Sequence, residues 1–146
     1  MNLSNFAESI SELLLLNNIT PSALAKNIGC GKGTISRYQS GRKAPSLMLL
    51  VRMADYFQCS TDYLLGLETE LYTRTFKPCP PFQKRLPEFC NVLKITKYQI
   101  EHKANITQSA IYKWQNGTGV PSVESLIRIS ETFNCSVDFI LGRSDF

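Results

Sequence analysis

Histidine is nearly missing from this chain: one residue, His102, stands among 146. The five cysteines, Cys30, Cys59, Cys79, Cys90 and Cys135, are odd in number, and no two of them form C-x-x-C. A zinc site needs several closely spaced Cys and His ligands, so no metal site is expected, and no cofactor is implied. Long apolar runs are missing as well. The aliphatic run Leu13–Leu16 is far short of the roughly 20 residues that cross a bilayer. No basic region leads into an apolar stretch near Met1, so no signal peptide is expected, and a cytoplasmic location with reduced thiols is the default reading. No segment alternates apolar and polar residues with a period of two, which argues against a sheet. Neither a carboxylate pair nor a nucleophile beside a base is visible, so no catalytic residue and no enzymatic activity are expected. The glycine-rich stretch Gly29–Thr34 fails as a phosphate-cradling loop. Gly33 follows Lys32 where Ser or Thr is needed, and Lys26 stands where the first glycine should be.

What is present belongs to a globular protein. The apolar share of 43% against a charged share of 19% can supply a core. The net charge of +4 permits a polyanionic partner without establishing one. Sliding the chain along itself by 76 residues, without a gap, aligns 6–66 with 82–142 and gives 17 identities in 61 positions. Among them are Ile19/Ile95, Thr20/Thr96, Ile35/Ile111, Gly41/Gly117, Pro45/Pro121, Ser46/Ser122 and Gly66/Gly142. Two copies of one fold explain this, and a solenoid, which needs more copies, does not. The expected organisation is a first domain at 1–67, a connector at 68–81 stiffened by Pro78, Pro80 and Pro81, and a second domain at 82–146.

Each copy reads as five short helices, an all-α fold. Phe6, Ile10, Leu13 and Leu14 share one helical face. Thr20-Pro21 supplies a cap followed by proline at the first helical position. A helix from Pro21 to Ile28 would turn Leu24, Ala25 and Ile28 inward and end at Gly29 in the left-handed conformation. A third runs from about Lys32 to Gln39 on Ile35 and Tyr38, stopped by Gly41 and followed by the basic loop Arg42–Pro45. Ser46 caps a fourth, carrying Leu47, Leu50, Val51 and Ala54, and Ser60 a fifth, ending near Gly66. In the second copy, Asn105 stands for Gly29 and tolerates the same conformation. Pro87 is expected to shorten or restart the first helix there. Tyr38 and Trp114 occupy one matched inner position and are expected in the core, whereas Tyr112 matches Ser36 and is expected outside. Cys59 and Cys135 read as small buried residues, Cys79 as an accessible thiol and His102 as solvated.

Two short helices about a tight turn, inside a helical bundle, form a helix-turn-helix unit. Both copies resemble the phage-repressor (Cro-like, XRE) helix-turn-helix domains. In copy one the resemblance rests on Ile19-Thr20, Leu24-Ala25, Gly29, Thr34–Tyr38, Gly41, Pro45-Ser46 and Ser60–Gly66. In copy two it rests on Thr107–Gly117, Pro121-Ser122 and Ser136–Gly142. The resemblance implies two tandem five-helix domains that bind duplex DNA as a transcriptional regulator, most often a repressor, with the third helix of one or both domains in the major groove. The expected base readers are Lys32, Gly33, Thr34, Ser36 and Arg37 in copy one, and Gln108, Ser109, Tyr112 and Lys113 in copy two, where Thr107 is also expected to bind DNA. Arg and Lys suit guanine, and Gln suits adenine. Thr20, Ser22, Arg42, Lys43, Lys97 and Thr118 are the expected phosphate contacts. Copy two departs from the pattern. Glu101 stands where Ala25 lets the helices cross, so it must point outward or disturb the crossing, and Thr118-Gly119 replaces Arg42-Lys43. These departures leave a rival reading open: a protein-interaction module, such as an antitoxin or anti-repressor, that reuses the fold. A homodimer is equally compatible with the sequence.

Overall fold

The computed structural model describes residues 3–71 and 74–146. Met1 and Asn2, at the head of the expected first domain, and Tyr72 and Thr73, inside the expected connector, lie outside the described residues. The chain divides into two compact units, Met1–Phe76 and Lys77–Phe146. The described residues form helices and irregular segments only, with no strand.

The first unit holds α1 (Leu3–Leu16), α2 (Pro21–Ile28), α3 (Lys32–Gln39), α4 (Leu47–Phe57) and α5 (Thr61–Leu64). Caps mark the boundaries. Thr20, Ser46 and Ser60 each accept a backbone N–H three residues on, from Ala23, Leu49 and Tyr63. A hydroxyl cap is worth about 0.5–2 kcal/mol against alanine. Gly29 ends α2 at φ 76°, in the left-handed region. Helix α1 packs on α3 and α5, and α2 on α3 and α4. Their shared interior is Phe6, Ile10, Leu13, Leu24, Ile35, Tyr38, Leu50, Met53 and Leu64, all buried. Leu47 and Val51, expected inward, are half-buried, and Met53 takes the central place on α4.

The second unit repeats the plan with α6 (Phe82–Leu93), α7 (Lys97–Lys103), α8 (Gln108–Asn116), α9 (Val123–Phe133) and α10 (Val137–Leu141). Thr96 and Gln99 form a reciprocal capping box, and Thr107, Ser122 and Ser136 cap the helices that follow. Asn105 adopts the left-handed conformation at φ 56° in place of Gly29. Helix α6 packs on α8 and α10. Bulk is redistributed at the turn. Where the first unit has buried Ile28 and half-buried Cys30, the second has Ala104 and Ile106, both buried.

Two expectations are corrected. Pro87 neither shortens nor restarts α6, which runs through it unbroken. Its missing N–H would have bonded the Gln83 carbonyl, and both residues lie on the exposed side of the helix. An interior proline costs about 3 kcal/mol. Burial of Phe82, Leu86 and Phe89, at about 1.5–3 kcal/mol each, outweighs it. Cys135, expected buried like Cys59, is only half-buried.

The last short helix of each unit is held from the first. Ser9 Oγ donates to the Tyr63 carbonyl at 3.0 Å. At the equivalent place Arg85 donates to the Phe139 and Ile140 carbonyls, with its guanidinium 5.0 Å from the Phe139 ring centroid. Gly66 closes the fifth helix at φ 77°, where a Cβ would come within 2.5 Å of Asn5 Cβ. Asp138 and Arg143 form a buried ion pair in the second unit.

Residues 68–71 and 74–81 form no helix. Glu68 accepts from the capping Ser60 hydroxyl at 2.6 Å and pairs with Arg74 at 2.7 Å, and Arg74 lies over the Phe76 ring. In the second unit, the Lys77 N–H donates to the Arg143 carbonyl at 2.8 Å, and Lys77 Nζ pairs with Asp145. A chain ending at Phe76 is therefore expected to unfold cooperatively as a helical domain. Ending it at Leu67, which removes a half-buried charged hydrogen-bond pair, should lower stability by about 1–3 kcal/mol. Urea unfolding followed by circular dichroism measures both.

Candidate nucleic-acid interface

The outer face of α3 is set by its inner one. Ile35 and Tyr38 are buried, and Tyr38 meets Phe6 of α1 edge to face with ring centroids 5.2 Å apart. This leaves Lys32, Gly33, Ser36 and Arg37 exposed, with Thr34 half-buried beside them. Gly31 stands at the N-cap of α3 and makes no side-chain cap bond. The α2 cap, Thr20, and the next exposed residue, Ser22, lie ahead of the turn, and Arg42 and Lys43 follow α3, all exposed. The Thr20 hydroxyl oxygen accepts from Ala23 N–H at 3.1 Å, yet its own O–H remains available to donate. Cys30 sits in the turn. Burial pushes its thiol up, and the Lys43 ammonium partly offsets that rise. Burial also raises the Tyr38 hydroxyl, and the nearby Cys30 adds to the effect.

In the second unit Ile111 and Trp114 face inward, with Trp114 meeting Phe82 edge to face at 5.6 Å. Lys97, Thr107, Gln108, Ser109, Tyr112, Lys113 and Thr118 are exposed. Thr107 caps α8 by accepting from Ala110 N–H at 3.1 Å. Thr118 gives its hydroxyl proton to Asn116 Oδ1, so it offers a phosphate a donor only if that rotor turns. The loop after α8 is tight at the Lys43 counterpart, Gly119. A Cβ on Gly119 would lie 3.2 Å from Lys113 Cβ, because the loop folds back to bond its Thr118 and Gly119 N–H groups to the Lys113 carbonyl. Glu101 is half-buried on α7, which still packs on α8.

One feature of this face was not singled out from sequence. Tyr98, the counterpart of Ser22, is 68% exposed and stacks on His102 with centroids 4.0 Å apart. With Tyr112 at 64% exposure, the second unit shows aromatic rings where the first shows serines. The signal was available as the paired substitutions Ser22/Tyr98 and Ser36/Tyr112. No helix among the described residues is long and apolar enough to cross a membrane.

Comparison with known proteins agrees with this architecture. The helix-turn-helix family model matches residues 10–64 and again 93–140. The chain therefore belongs to the helix-turn-helix family, of the Cro-like XRE type, and carries two copies of its domain. It is 35% identical over 66 residues to the HTH-type transcriptional regulator AnsR of Bacillus subtilis (strain 168), a match covering 45% of this chain and 57% of AnsR. It is 32% identical over 64 residues to the HTH-type transcriptional activator BcrR of Enterococcus faecalis, covering 44% of this chain and 31% of BcrR. It is 32% identical over 85 residues to the uncharacterized HTH-type transcriptional regulator YobD of Bacillus subtilis (strain 168), covering 58% and 70%. The chain thus spans about a third of BcrR and little more than half of AnsR. No solved structure matches it.

The buried Tyr38 hydroxyl finds no hydrogen-bond partner among the described residues, so its loss removes a desolvation cost. Tyr38→Phe is expected to hold or raise stability, by up to about 1 kcal/mol, and to leave nucleic-acid affinity unchanged. Thermal melts and binding titrations check the two halves. A loss of affinity in a stably folded variant would show that the ring's outer edge meets a ligand.

Proposed function

We propose that this chain is a sequence-specific duplex-DNA-binding regulator of transcription, acting as a repressor, that inserts α3, and α8 where the second unit also engages, into the major groove. The reading rests on one observation above all. Every polar or basic position that the family resemblance assigns to DNA is exposed in both units, apart from half-buried Thr34, while Ile35, Tyr38, Ile111 and Trp114 on the same two helices are buried. Arg37 and Lys32 have the chemistry to read guanine edges, and Gln108 to read adenine. Arg42 and Lys43 suit phosphates, and lateral contacts of that kind fix register without reading sequence. The two units offer different donor sets, so a chain using both would recognise an asymmetric site made of two unlike half-sites.

A second reading applies to the second unit alone. The exposed Tyr98 and Tyr112, with half-buried Glu101 and a loop lacking the basic pair, favour an apolar protein partner over a phosphate backbone.

Lys43→Ala should weaken binding to all duplexes alike and reduce the salt slope by about one. Arg37→Ala should cost about 1–3 kcal/mol on the preferred site and relax preference at one position. Unchanged binding in the Arg37, Arg42 and Lys43 triple alanine variant would count against the DNA reading. For the second unit, footprinting compares the whole chain with one ending at Phe76. A shorter footprint and weaker binding are expected if both units read DNA. An identical footprint at equal affinity would assign the second unit to a protein partner.

A further inference from the structure

The helix-turn-helix works only if the turn between its helices holds a fixed shape, and in both units a side chain from outside the motif grips that turn. The carbonyls at the end of α2 and just past α7 lie beyond the helical hydrogen-bond ladders and need donors from elsewhere. Arg52, on α4, donates from Nη1 to the Ile28 carbonyl at 3.1 Å. Arg128, the equivalent residue on α9, donates from Nη1 to the Asn105 carbonyl at 3.0 Å. The two acceptors differ by one step in the repeat. Gly29 is bare, and the Arg52 guanidinium lies 3.4 Å from the place its Cβ would occupy. Asn105 fills that place with a side chain, and Arg128 takes the next carbonyl along. The second unit also steadies its arginine from behind. Arg128 Nη2 meets Glu124 at 2.8 Å, and that hydrogen bond holds the Glu124 carboxyl below its usual range. The Glu124 counterpart is Met48, so Arg52 works without this brace.

Arginine here is not explained by burial. Arg52 is exposed and Arg128 half-exposed, and many polar residues would serve such a helix face equally well. Yet Arg52/Arg128 is one of only three charged identities shared by the repeats, with Glu12/Glu88 and Asp62/Asp138. The gripped turn runs within a few residues into Lys32 and Gln108, the first residues of α3 and α8. We infer that Arg52 and Arg128 are positioning residues for recognition: from the fourth helix of each unit they lock the turn and so set how the third helix is presented to base edges. They act through the turn and touch no base themselves. This inference rests on the DNA-binding reading above.

The test uses the full chain, a duplex that it selects from random DNA, and an unrelated duplex of equal length, each at two salt concentrations. Arg52→Met should lower affinity for the selected duplex about tenfold, comparable to losing one base contact. Affinity for the unrelated duplex and the salt slope should stay unchanged, because no phosphate contact is removed. Arg52→Lys should recover part of the loss, since an ammonium can still donate to the Ile28 carbonyl. Arg52→Gln carries the same comparison if the Met variant melts near the assay temperature. Amide hydrogen exchange without DNA supplies a second readout: exchange across Gly29–Thr34 should quicken in the Met variant while the α1 core stays protected. An equal loss on both duplexes with a slope reduced by about one would make Arg52 a direct phosphate contact and overturn the inference, as would unchanged affinity on both. If the wild-type chain binds neither duplex, the DNA reading fails, and unaltered exchange across the turn would then overturn the grip as well.

Discussion

The contact on which each unit's working surface depends is an aromatic pair between its first and third helices. Phe6 meets Tyr38, and Phe82 meets Trp114, both edge to face, at 5.2 and 5.6 Å. An edge-to-face pair contributes about 0.5–1.5 kcal/mol beyond the area it buries. Its larger consequence is rotational. Once the aromatic ring and Ile35 or Ile111 point inward, the helical period leaves 32, 33, 36 and 37, or 108, 109, 112 and 113, on the outer side. The outer residues then vary without disturbing the fold. This is how Ser36 and Tyr112 occupy one position in two copies of the same frame.

Much of that frame was legible in the sequence because its signals are local. The bounds of α2 and α3 follow from Thr20-Pro21, Gly29 and the Ile35–Tyr38 spacing, each a constraint within one helical turn. The inward Tyr38 and Trp114 and the outward Tyr112 followed from aligning the repeats. What escaped depends on residues distant in the chain or on where a face points. Pro87 is tolerated on the exposed side of α6, a matter of exposure rather than identity. The Ser9 and Arg85 bonds to the last helix serve the same purpose with unlike side chains, so the alignment hides them. The Glu68–Arg74 pair falls in a stretch whose prolines suggested only a stiff spacer. Among the site residues, Tyr98 carries no such local signal: it stands near a helix start, where its counterpart Ser22 suits a phosphate and a tyrosine offers mostly ring.

The two units share a frame and differ in chemistry. The first presents Lys32, Arg37, Arg42 and Lys43 along and after α3. The second has Lys97 where the first has Pro21, keeps a basic residue at Lys113, has Thr118-Gly119 in place of the basic pair, and adds the Tyr98–His102 ring contact. The duplicated domain keeps three hydroxyl caps, the left-handed turn residue and the Arg52/Arg128 bond to the turn, while Lys32, Gly33, Ser36 and Arg37 on the third helix all change.

The central claim is that the outer face of α3 and the residues flanking it meet duplex DNA. Backbone amide shifts of the isotope-labelled chain, recorded as a selected duplex is added, address this directly. The account predicts that the largest changes gather at Thr20–Ser22, Gly31–Arg37 and Arg42–Lys43, with the buried α1 and α4 positions little moved. Changes concentrated instead on α5 or the exposed end of α1, with α3 silent, would contradict it.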